Sequence, residues 1–238
     1  MQKFALVFPV LPGKDASVPA QEFKKRPDEY RESRKRLGIQ TERVYEMPTP
    51  MGNFVIAYLE SDHGFGETLG MMTASDLDID RYFLEAIKDI HGVDTSQPPQ
   101  SDPPEVLGDW VDEAAGSGRK RGLAFCAPVR PGAEDRGRAF AKEAWGARVA
   151  ELAESRRAKG LTHEFVMLNH TPNGDVVCVY LEGDDPVEGN RQFAESQSEF
   201  DQWFRDEIKS IFPPEVNFDE PLPPITTLFD SQEALVAS

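Results

Sequence analysis

Along this chain the spacing of apolar residues switches repeatedly between two periods, and the switches mark out elements. The β-branched and aromatic runs "KFALVFPV" (3–10) and "GLAFCAPV" (122–129) predict strands, and Pro9 and Pro128 near their ends predict sheet edges or bulges. In "RAFAKEAWGARVAELAESRRAKG" (138–160) the residues Trp145, Val149, Leu152 and Arg156 keep a helical spacing, and Gly160 stands where that helix should stop. Phe23, Tyr30 and Arg34 repeat the stripe earlier, but Pro27 takes the place of Val149, so this helix should kink or restart there. Hairpins are predicted from about Thr41 to Glu60 and from His163 to Glu182, with Pro50, Gly52, Asn173 and Gly174 making the turns. Helical spacing returns at Phe83, Ile87, Ile90 and at Phe204, Ile208, Ile211, with Ser75 and Ser198 as expected caps.

These elements come in the same order twice. "TPMGNFVIAYLESD" (49–62) and "TPNGDVVCVYLEGD" (171–184) agree at eight of fourteen positions, at a constant offset of 122 residues. "FPVLPG" (8–13) answers "APVRPG" (127–132), "ESRKRLG" (32–38) answers "ESRRAKG" (154–160), and "DRYFLEAIKDI" answers "DQWFRDEIKSI". Proline-rich tails, "DTSQPPQSDPPEVLGDW" and "PPEVNFDEPLPPITTLFD", close both copies and are expected to run extended, each adding one short strand to a sheet edge. The chain therefore reads as two modules, residues 1–115 and 116–238.

Strand, helix, hairpin, helix and a last short strand resembles the ferredoxin-like βαββαβ unit. Two in tandem resemble the dimeric α/β-barrel superfamily, here with one chain supplying both halves as an intrachain pseudo-dimer. The "YLEGDD" hairpin and the "WF…IK" helix are similar to a group of bacterial proteins of unassigned function. The resemblance implies an α+β protein whose two sheets pack face to face. In keeping with that, Phe54, Ile56 and Tyr58 alternate with Val55, Ala57 and Leu59, so the third strand is apolar on both faces, as is its counterpart from Val176 to Leu181.

Composition narrows the partners. Forty-two acidic against twenty-six basic residues leave a net charge of −16, which repels nucleic acid and anionic lipid. No apolar run approaches the roughly 18 residues of a membrane span. Pro9 and Pro12 interrupt the short apolar stretch at the start of the chain, which reads as a strand rather than a signal peptide, and a cytoplasmic location is expected. The only two cysteines, Cys126 and Cys178, sit in apolar runs as small buried hydrophobes, with a redox pair as the minority reading. "SGRKRG" (117–122) reads as a solvated junction.

The most informative polar residues are Arg34 and Arg156, each on the sheet-facing stripe of its helix. The antiparallel third strand suggests Glu60 and Glu182 as their partners. The structural reading makes Arg34 to Glu60 and Arg156 to Glu182 buried ion pairs. The functional reading, implied by the superfamily resemblance, sets Tyr30 and Arg34 as substrate-binding groups and Tyr58, Glu60 and His63 as catalytic groups of a pocket between sheet and helices in the first module. His63, in the glycine-rich "ESDHGFGETLG", is a candidate general base with no counterpart in the second copy, where Asp185 stands. His91 and His170 read as a helix cap and a turn ligand, and His163 as a flank of the second hairpin. Asp80 and Asp201 read as first-turn caps. No metal-ligand spacing, glycine-rich phosphate loop or nucleophile elbow is present, so neither metal nor cofactor is expected. Two functions stay open: a small-molecule binder or cofactor-independent enzyme resembling the superfamily's monooxygenases and isomerases, or a non-catalytic structural or interaction protein. Further homo-oligomerisation is also left open.

Overall fold

The computed structural model describes residues 1–97, 101–116, 118, 120–218, 220 and 222–234. Two compact units emerge: Met1–Gln100 with Thr226–Ser238, and Ser101–Ile225. Each contains one four-stranded, fully antiparallel sheet.

In the first unit, β1 (Gln2–Pro9) is followed by α1 (Val18–Lys25) and α2 (Pro27–Arg36), then by the hairpin β2 (Ile39–Thr49) and β3 (Gly52–Ser61), and then by α3 (Phe65–Thr73) and α4 (Asp78–His91). Pro27 breaks the first helix as expected, because it opens α2 where a missing N–H costs nothing. The second unit repeats the order: β4 (Glu105–Val111), β5 (Arg121–Pro128), α5 (Glu134–Lys142), a π-helical turn (Glu143–Ala147), α6 (Val149–Ala158), β6 (Leu161–Thr171), β7 (Gly174–Gly183), α7 (Pro186–Glu195) and α8 (Glu199–Ile211). Gly160, at φ +68°, takes the left-handed conformation that stops α6. The helix read as continuous over 138–160 is interrupted by the π turn. The interruption falls where the second copy is three residues longer than the first, and a wider turn absorbs extra chain without ending the helix.

Strand order is the main departure from the sequence reading. The first sheet runs β1-β3-β2-β8, where β8 is Thr226–Asp230, and the second runs β4-β6-β7-β5. The strand after each proline-rich tail thus pairs with the outer hairpin strand of the other copy: β4 with β6, and β8 with β2. This displaces the division expected at 115/116, since β4 belongs to the second unit and the C-terminal strand to the first. The exchange satisfies the edges of β2 and β6, whose N–H and C=O groups would otherwise be unpaired. Pro9 and Pro128 lie on β1 and β5, each at the edge opposite the exchanged strand, where a missing donor is tolerated. Positions 98–100, 219 and 221 of the tails, and Ser117 and Arg119 of the basic cluster, lie outside the described residues; Lys120 of that cluster pairs with Asp184 at 2.7 Å.

Both faces of each sheet are buried. On the helix side of the first sheet, Val44 and Val55 meet Phe23, Tyr30, Ile79 and Phe229. The opposite side carries Ala5, Arg43, Tyr45, Ile56 and Tyr58, all buried. The second unit places Val166, Leu168 and Val177 against Phe140, Leu152, Phe204 and Ile208 on the helix side, with Phe165, Met167, Cys178 and Tyr180 buried on the other.

Exchanged strand β4 is notched to its site. Gly108 follows a bulge in the β4 to β6 register and lies beneath the indole of Trp145, from the π turn. A Cβ there would stand 2.4 Å from Trp145 Cδ2 and Cε2. Gly108→Ala is therefore expected to force β4 or the indole aside, lowering stability by about 1–3 kcal/mol in denaturant unfolding.

Candidate functional site

Arg34 is buried, and Glu42 of β2 is its carboxylate partner: Nε donates to Oε2 at 2.7 Å and Nη2 to Oε1 at 3.2 Å. Tyr30 Oη donates to the same Oε2 at 2.8 Å. The second unit repeats the arrangement with Arg156 and Glu164, at 2.6 and 3.2 Å. The partners expected from the sequence, Glu60 and Glu182, are thereby corrected, and the reason is parity. Successive strand residues point to opposite faces. Glu60 stands opposite Thr41 in the register and shares a face with Tyr58, whereas Glu42 stands opposite Leu59, on the face the helices cover. An arginine on α2 can meet only the second set.

The guanidiniums are also sandwiched by aromatic rings. Arg34 Cζ lies 4.9, 4.8 and 5.3 Å from the ring centres of Phe23, Tyr30 and Phe83, and Arg156 Cζ lies 4.8 Å from both Phe193 and Phe204. Burial opposes the charge on Arg34, but Glu42 and Tyr30 outweigh it and hold the group above its ordinary range. The Tyr30 hydroxyl is pushed well up by burial and by Glu42, so it stays protonated as a donor.

A second carboxylate completes each cluster. Ser33 Oγ donates to Asp80 Oδ1 and Ser155 Oγ to Asp201 Oδ1, both at 2.5 Å, with Arg34 and Arg156 at 3.6 and 3.8 Å. These aspartates, expected as first-turn caps, are core members of the network. Ser198 does cap α8 by accepting from Asp201 N, whereas the N-cap of α4 is Leu77, two residues after the expected Ser75. The two arginine clusters differ in one charge: Lys159 Nζ reaches Asp201 Oδ2 at 2.7 Å, while Leu37 occupies that position in the first unit. Burial would raise the Asp201 carboxyl, but hydrogen bonds from Lys159 and three serines lower it to about 2. A depressed carboxylate contributes stability above its unfolded pKa, near 4, and loses it as pH falls through about 2. Lys159→Met is expected to move acid unfolding of the protein to higher pH, read as the midpoint of a circular-dichroism titration.

On the opposite sheet face the tyrosine and glutamate of each hairpin pair: Tyr58 Oη donates to Glu60 and Tyr180 Oη to Glu182, both at 2.7 Å. Thr41 Oγ1 also donates to Glu60, at 3.0 Å. At the equivalent position the second unit has His163, whose Nε2 is 3.0 Å from Asp109 Oδ1 of β4. His163 stands opposite Glu182 in the register, and its ring centre is 5.6 Å from that of Tyr180. In the first unit the carboxylate from the exchanged strand, Asp230, meets Arg43 instead, at 3.3 Å.

The five residues expected to form one pocket are thus divided by the sheet. Tyr30 and Arg34 lie on its helix side, Tyr58 and Glu60 on the other. His63 pairs with Glu67 at 3.1 Å and packs over Gly38, where a Cβ would meet its ring at 2.8 Å. His91 Nδ1 contacts Pro9 O at 2.9 Å, and His170 Nδ1 meets Asp175 at 2.9 Å beside the turn, as expected of it. The sequence reading missed Glu42 and Glu164, although both are glutamates at the repeat offset. It also missed the pairing of His163, because Asp109 arrives on a strand from the other copy.

Among the described residues no cluster of three or more His, Cys, Asp or Glu is arranged to hold a metal, and no helix is long and apolar enough to cross a membrane.

No family model and no curated protein matches the chain. Among solved structures it is similar to an anthrone oxidase-like protein, at 14% identity and a TM-score of 0.52, over 95% of this chain and 92% of that one. It is also similar to a "putative monooxygenase from Lactobacillus acidophilus NCFM", at 9% identity and a TM-score of 0.50, over 97% and 95% of the two chains. At these identities the likeness is one of fold. Element order and the two four-stranded antiparallel sheets make this an α+β protein of two ferredoxin-like units, with a fold shared by these structures over nearly its whole length.

Proposed function

We propose that the protein binds a small molecule and acts on it as an enzyme of the cofactor-independent monooxygenase kind, with His163 as proton acceptor. The observation that carries this reading is the His163 to Asp109 pair, at a position where the first unit has only Thr41. A site needs one working copy, so chemistry is sought where the copies differ. An ionised Asp109 accepts from Nε2, and a carboxylate-oriented imidazole is a suitable general base. Asp109 is more than a third exposed at the β4 edge, which gives solvent a route to the cluster. The substrate class is a small aromatic with an acidic hydroxyl or ring proton, whose anion itself passes electrons to dioxygen. The hydrogen-bonded Tyr180 and Glu182 supply polar contacts beside the base, and Tyr58 and Glu60 are their equivalents in the first unit.

A second reading, a non-catalytic scaffold, draws on the ion-pair networks. Arg34 and Tyr30, the expected substrate ligands, are engaged by buried Glu42, and Arg156 with Glu164 repeats the pair in the other unit. Thermal stabilisation by a panel of phenolic and polyketide-like aromatics, followed by oxygen uptake, separates the two. His163→Thr is expected to keep the fold and lower turnover by about 10²- to 10⁴-fold. Absence of any stabilising ligand and of oxygen uptake favours the scaffold, whereas undiminished turnover in that variant would remove His163 as the base.

A further inference from the structure

Cys126 and Cys178 are direct partners in the β5 to β7 register, so their side chains leave the same face of the second sheet side by side. Directly opposed residues of antiparallel strands have Cα atoms about 4.5 or 5.5 Å apart. Both spacings lie inside the roughly 4.4–6.8 Å window that a disulfide bridges. Both residues are buried thiols. The corresponding slot of the first sheet, Val7 opposite Ile56, holds no sulfur, so the general packing of this fold does not require a cysteine pair. β5 is also an edge strand, held on one side only, and it can peel from β7 without breaking the rest of the sheet.

We infer that Cys126 and Cys178 form a reversible cross-strand disulfide site, oxidised by small-molecule disulfides, which ties edge strand β5 to β7. The exchange balances without any other oxidant. The Cys126 thiolate attacks one sulfur of the small disulfide and expels its other half, which takes up a proton. Cys178, losing its proton, then attacks the Cys126 sulfur of the mixed disulfide and expels the second small thiol. Two protein thiols are oxidised and one small disulfide is reduced to two thiols.

Burial sets the rate. It pushes the Cys126 thiol up to about 12 and holds Cys178 well above its ordinary value, with Cys126 adding to the effect. Thiolate is scarce in the closed sheet, so exchange proceeds through openings of β5.

The test uses the full chain in a series of oxidised and reduced glutathione mixtures, with and without urea below the unfolding transition. Samples are quenched with acid, denatured, alkylated and weighed intact. The expected product is a monomer lighter by two hydrogens that takes up no alkylating agent, forms faster in urea, melts at a higher temperature than the reduced protein, and returns to two alkylated thiols under reducing mixtures. In Cys178→Ala the reaction should stop at a glutathione adduct on Cys126. Two alkylated cysteines after oxidising treatment in urea, accumulation of glutathione adducts without ring closure, or cross-linked dimers would each overturn the inference.

Discussion

Arg34→Met is expected to destabilise the first unit by about 3–5 kcal/mol, measured as a shift in the denaturant midpoint at unchanged slope. The side chain is buried with Glu42, Asp80 and Ser33, and its removal leaves two carboxylates in the core without the cation that both face. Its aromatic neighbours Phe23, Tyr30 and Phe83 would accept the methionine, so the loss is electrostatic rather than steric. Arg156→Met is expected to cost less, because Lys159 still meets Asp201. Adding Glu42→Leu to Arg34→Met should recover part of the loss, since removing both partners of a buried pair is often neutral while removing one is not. Equal costs at Arg34 and Arg156 would show that Lys159 takes no part in balancing the network.

Truncation after residue 225 is expected to have the larger effect: residues 1–225 should lose cooperative folding of the first unit and aggregate. That chain lacks β8, and with it Phe229, whose ring lies 5.6 and 5.1 Å from Phe23 and Tyr30. It also loses Asp230 from buried Arg43, and Ser231, which accepts from the backbone N–H of Glu42. The uncovered edge of β2 would present unpaired backbone groups next to apolar surface, a template for pairing with another chain. Hydrogen exchange should show protection lost in β2 and α2 and kept in β6 and β7. Retention of protection in β2 would mean that the exchanged strand is dispensable.

Neither result would be anticipated from the repeat alone, which assigns each tail to the module it follows. The hairpins, the Pro27 break, the glycine stop at Gly160 and the edge position of Pro9 and Pro128 were all legible, because each depends on neighbours within one turn or strand. Glu42 and Glu164 were within reach as well. They recur at the repeat offset, and counting alternation from Val44 and Val166 puts both on the helix face. Chain direction along the third strand points to Glu60 and Glu182, but strand parity puts both on the face away from the helices. The sequence singles out Tyr58 and Glu60, and Glu182 only as an ion-pair partner, but no local pattern signals that Asp109 and His163 meet across 54 residues.

By itself, then, the sequence determined the element order and the buried arginines, since periodicity and turn chemistry act over a few residues. The tertiary structure alone decided which strand closes each sheet and which carboxylate faces which cation. Those choices depend on satisfying open backbone edges and buried charges between segments far apart in the chain, and no local pattern records them.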